Sequence, residues 1–152
     1  MSHPVNRYVS EGFVAFSVHI TWDPSAKKGR GGKRSLHPSA WPTAGGFVDP
    51  EWNSVALNTE LSNIVVVDFD DDHALKTFRE RAAEAGIDIS TREARSGSRV
   101  GGHLYFRSLD GLPPVKSTDN IAIFGMERGS SKVDVKAAGG LIYAPPSSYN
   151  MP

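Results

Sequence analysis

The chain has 152 residues, about one domain's length and enough to enclose a real core. Seventeen basic residues balance seventeen acidic ones, so overall charge points to no partner, and the absence of cysteine excludes disulfides and thiolate zinc sites. No apolar run approaches the ~20 residues of a membrane span, and "MSHPVNRYVSEG" lacks the apolar centre of a signal peptide. These features lead us to expect a protein inside the cell, in cytoplasm or nucleus, with no membrane partner.

In chain order, "GFVAFSVHI" (12–20) reads as a first strand rich in Val and Phe. "DPSAKKGRGGKRSLHPSAWPTAGG" (23–46) follows, and its glycines, prolines and lysines predict one long loop. "SVALN" (54–58) reads as a short strand and "NIVVVDFD" (63–70) as the clearest strand of the chain. Residues 73–85 predict a helix, with Leu75, Phe78, Ala82 and Ala85 on one face, Asp72 as its cap and Gly86 as its stop. "HLYFR" (103–107), "KVDVK" (132–136) and "GLIYA" (140–144) alternate as strands do, and "AAG" is a candidate hairpin turn between the last two. Strands with one firm helix predict an α+β fold with a mainly antiparallel sheet and few helices. We read a single domain over 1–152, whose ending in "SSYNMP" suits a piece of a longer protein.

The chemistry starts at "IVVVDFDDD" (64–72), where a core strand runs into four aspartates. Alternation puts Asp68 and Asp70 on one face of the strand and Val65, Val67 and Phe69 on the other. His103 and Tyr105 likewise oppose Leu104 and Phe106, while Asp134 and Lys136 oppose Val133 and Val135. If the three strands are neighbours, Asp68, Asp70, Asp134, His103 and Lys136 share one surface. Three carboxylates so close repel one another, at about 4 kcal/mol for two charges 4 Å apart at an effective dielectric near 20. A divalent cation converts that repulsion into binding, and hard oxygen donors select Mg²⁺ or Mn²⁺. Asp71 and Asp72 are explained more simply by the following helix, whose N-terminus favours carboxylates. Asp68 and Asp70 lie within the strand pattern, where aspartate is depleted. The glycines of "VGGHLYF" permit close approach of a backbone or a phosphate. Lys27, Lys28, Arg30, Lys33 and Arg34 make the 23–46 segment a solvated surface loop or a flexible phosphate clamp. Trp22, Trp41 and Trp52 serve as loop anchors or, for one of them, as a base-stacking surface.

The order of these motifs, Asp-x-Asp after "SNIVVV", then "GGHLYF", "KSTDNI" and the "VDVK…GG…APPSSY" block, closely resembles the archaeo-eukaryotic primase superfamily in its primase–polymerase branch. The primase halves of primase–helicases from large DNA viruses and mobile elements look most alike. The resemblance covers about Gly12 to Tyr149. It implies a primase–polymerase catalytic core with RRM-like elements. It further implies two-metal nucleotidyl transfer from an NTP or dNTP to a 3′-hydroxyl on a single-stranded DNA template, in replication or repair, with a helicase domain or subunit as a further partner. By position, Asp68, Asp70 and Asp134 would hold two Mg²⁺ or Mn²⁺ ions and be catalytic. His103, Lys136, Ser147, Ser148 and Lys33 or Lys28 would contact the nucleotide. Lys136 stands where the family usually has arginine. Ser98 lies further from the histidine than the serine of many members does, with Gly101 in the nearer position, which leaves that serine's role without a residue here. Two rivals are a phosphatase of the haloacid dehalogenase type, which also places Asp-x-Asp after a strand but needs a parallel sheet with intervening helices, and a non-catalytic module binding single-stranded nucleic acid.

Overall fold

The computed structural model describes residues 3–29, 31–95, 100–124, 126–127, 129 and 131–147. Two compact units emerge: the described residues 3–29, 31–62 and 141–147 form the first, and 63–95, 100–124, 126–127, 129 and 131–140 the second.

The first unit opens with α1 (Pro4–Ser10), a helix the sequence reading missed. Pro4 starts it where a missing N–H costs nothing, and the Nδ1 of His3 accepts from the Val5 N–H at 3.3 Å. Strand β1 (Ala15–Asp23) pairs antiparallel with β2 (Gly32–Leu36) and with β3 (Ser54–Asn58). The expected 23–46 loop is therefore corrected: it holds the helical turn α2 (Ala26–Gly29) and all of β2. "GKRSL" carries no apolar alternation, so only its register against His19–Asp23 shows it as a strand. Phe16, Val18, Ile20 and Ala56 are buried together, with Trp41, Leu141 and Tyr143 packed on them. Trp41 lies beside Phe16 and Trp52 beside Phe47, so both tryptophans anchor loops.

The second unit is a four-stranded antiparallel sheet in the order β5–β6–β4–β7. Its strands are β4 (Ile64–Phe69), β5 (Arg92–Arg95), β6 (Gly102–Arg107) and β7 (Val133–Lys136). Helix α3 (Asp72–Glu84) presents Ala74, Leu75, Phe78 and Ala82 as its buried face, while Ala85, expected on that face, is exposed. Ala74, Leu75 and Phe78 join Val67, Phe69, Leu104 and Val133 in one core. Full burial of each such side chain contributes about 1.5–3 kcal/mol. The helix cap is Asp71 rather than Asp72: its Oδ1 accepts from the Ala74 N–H at 2.8 Å. Asp72 instead holds the Arg95 guanidinium at 2.9 Å and the Gly101 N–H at 3.1 Å.

The expected hairpin between 132–136 and 140–144 does not form. Strand β7 pairs with β4 in the second unit, whereas β8 (Leu141–Ala144) pairs with β3 in the first. Ala137–Gly140 thus carries the chain from one sheet to the other; two alternating strands with a small-residue joint look alike in sequence whether they pair or part.

Candidate active site on the second sheet

Strand β4 lies between β6 and β7, and the antiparallel register sets Asp68 opposite both His103 and Asp134. Two pairs further along, Val66 faces Tyr105 and Lys136. The alternation read from sequence thus places Asp68, His103, Tyr105, Asp134 and Lys136 on one face, with the α3 core on the other. Direct cross-strand neighbours lie about 4.5–5.5 Å apart at Cα, so Asp68 and Asp134 are adjacent groups. Asp70 follows on the same parity just after β4, tied by its N–H to the Lys132 carbonyl at 3.0 Å.

Both nitrogens of His103 are engaged: Nε2 lies 3.2 Å from Asp68 Oδ1, and Nδ1 lies 3.3 Å from the Tyr105 hydroxyl. His103 stands beyond a glycine pair with a structural task. A Cβ on Gly101, whose φ is +69°, would meet the Phe69 carbonyl oxygen at 1.9 Å, and one on Gly102 would meet the Ala94 oxygen at 2.8 Å. Of the two approaches the glycines permit, the one seen is that of backbone.

Asp134 is held from two sides. Its Oδ1 accepts the Asn120 N–H at 2.8 Å, and its Oδ2 lies 3.0 Å from Lys136 Nζ. The same ammonium lies 2.9 Å from Asp119 Oδ1. Lys136 is held above the ordinary lysine range: partial burial pulls it down, and the two carboxylates outweigh that pull. Desolvation first, then the negative charges of Asp134, Asp68 and Asp71, push the Asp70 carboxyl above its usual range, with Lys132 opposing. Lys132 itself pairs with Asp71 at 3.0 Å. Sequence reasoning missed Asp119, Asn120 and Lys132 as parts of this surface. "KSTDNI" is where a signal lay, but nothing in its spacing ties Asp119 to Lys136.

The donor set suits a hard divalent cation by its chemistry: three carboxylates gather at one end of a sheet, and Asp70 is raised by desolvation first and then by the charges of the other two and of Asp71. As they stand, Asp68 turns to His103 and Asp134 to Lys136 and Asn120, and among the described residues no three His, Asp or Glu side chains converge as a metal site.

The other expected nucleotide contacts lie in the first unit. Lys28 is exposed with a left-handed backbone (φ 58°). Lys33 is exposed on β2, its Nζ 5.8 Å from the Tyr143 ring centroid. The Ser147 hydroxyl donates to the Val55 carbonyl at 2.8 Å and accepts the Val55 N–H at 3.0 Å, tying the end of β8 to β3. Ser148 lies outside the described residues.

A family model described as the N-terminal domain of bifunctional DNA primase/polymerases matches residues 7–151. No curated protein matches the chain.

Proposed function

The chain belongs to the bifunctional DNA primase/polymerase N-terminal family, and from that premise we propose that it transfers nucleotides from an NTP or dNTP to a 3′-hydroxyl on a single-stranded DNA template. The observation that carries this reading is the register that sets Asp68 beside Asp134 and His103 on adjacent strands. Asp68, Asp70 and Asp134 would hold two Mg²⁺ or Mn²⁺ ions. Bound there, the ions supply neutralisation of triphosphate charge and acidification of the attacking hydroxyl.

The chain's own side chains position and orient. Asp68 accepts from His103 when Nε2 carries the proton, and Tyr105 engages the opposite nitrogen, which fixes the ring on the carboxylate surface. Both nitrogens are then taken, so His103 offers an N–H to a substrate phosphate only by giving up Asp68, while Lys136 offers its ammonium hydrogens; donors aimed at phosphate charge supply much of the catalysis in phosphoryl transfer. A helicase domain or subunit inside the cell is the further partner of this reading. The antiparallel second sheet disfavours the haloacid dehalogenase rival, which requires parallel strands.

The test is incorporation of labelled nucleotide on single-stranded DNA with Mn²⁺, by the unaltered chain and by Asp68→Asn and Asp134→Asn. Activity in the first and at least a 100-fold loss in both variants is expected. Incorporation by either variant at the unaltered rate would overturn the assignment.

A further inference from the structure

Lys136 is the site's best-defined cation, and two carboxylates of the chain itself hold it. Its ammonium lies 3.0 Å from Asp134 and 2.9 Å from Asp119. The two carboxylates differ in setting. Asp134 has a side chain only 18% exposed and a second anchor in the Asn120 N–H. The Asp119 side chain is 75% exposed, and Lys136 is its ion-pair partner. The backbone around Asp119 is fixed: Thr118 exchanges both N–H···O bonds with Val135, at 2.9 and 2.8 Å, and the Ile121 N–H reaches the Val133 carbonyl at 2.8 Å. The side chain of Asp119, 75% exposed, is therefore the part free to leave.

We propose that Asp119 is a placeholder for a substrate phosphate: its carboxylate pairs with Lys136 and is exchanged for a phosphate oxygen of the incoming triphosphate. This rests on the reading of Lys136 as a phosphate contact. In the exchange the Asp119–Lys136 ion pair breaks, a Lys136–phosphate ion pair forms, and the lysine keeps its proton. The swap keeps the ammonium paired at every stage and aimed along the strand face. It also sets a charge threshold, because a ligand gains Lys136 only by displacing an anion already there.

The experiment is titration calorimetry of inorganic triphosphate, with Mn²⁺ present throughout, on the unaltered chain, Asp119→Asn, Lys136→Gln and the double variant. Asp119→Asn is expected to bind triphosphate about 2- to 5-fold more tightly, the span of a lost surface ion pair, and with a steeper dependence on added salt, because no ion pair is given up in exchange. Lys136→Gln is expected to weaken binding and to abolish the Asp119→Asn gain. Unchanged or weaker binding in Asp119→Asn, with Lys136→Gln still weakened, overturns the placeholder and makes Asp119 a positioning residue. Unchanged binding in Lys136→Gln overturns the phosphate contact itself.

Discussion

Replacing Asp70 by Asn removes a charge that the ligand-free fold tolerates poorly. Asp70 follows β4 with its carboxyl raised by partial desolvation first and then by Asp134, Asp68 and Asp71, and Lys132 opposes them. The residue is exposed, so each repulsion is screened; at ~6 Å and a dielectric between 20 and 80, one pair costs about 0.7–3 kcal/mol. Discounted for solvent, the neutral amide is expected to stabilise the ligand-free fold by about 1 kcal/mol, or ~2–4 °C in melting temperature for a chain of this size. Adding Mn²⁺ should reverse the order, raising the unaltered chain's midpoint more than the variant's. Differential scanning calorimetry with chelator, then with 1 mM Mn²⁺, reads both. A variant that melts lower than the unaltered chain in chelator refutes the repulsion argument, and equal Mn²⁺ shifts in the two chains refute Asp70 as a cation ligand.

Phe78→Ala removes a ring packed between Phe69 and Phe124 and should cost about 3–5 kcal/mol in chemical unfolding. Gly101→Ala forces a Cβ into the Phe69 carbonyl and should destabilise by more than 2 kcal/mol, against a Gly86→Ala control that has the same φ of +69° but no atom within 4 Å and should cost only the backbone strain, about 1 kcal/mol. Tyr105→Phe frees His103 Nδ1 and should lower kcat several-fold with melting temperature within 2 °C of the original. His37 is held below its ordinary value by burial, so the folded chain binds fewer protons than the unfolded one, and stability should fall as pH drops below about 6.5. His37→Gln should flatten that slope in urea melts at pH 5 and 7.

Period-two alternation was enough to find β4, β6 and β7 and to sort Asp68, His103, Asp134 and Lys136 onto one face, because each of these strands has a buried apolar side. Strands β2 and β5 escaped notice for the opposite reason: "GKRSL" and "REAR" are edge strands with little to bury, and only their partners define them. The partner of β8 was illegible too, since pairing with β3 rather than β7 depends on residues some 85 positions upstream. Asp119 reached the site through a bond to a lysine seventeen residues on, a contact with no local pattern.

The joint at Ala137–Gly140 has a consequence for how the protein must be dissected. Because the last strand of the first unit follows the second in sequence, the 63–140 piece is an insertion within the other's chain. A truncation ending at Gly140 leaves β3 with an open edge where β8 belongs, so the two units are separable only by excising the middle and rejoining Ser62 to Leu141.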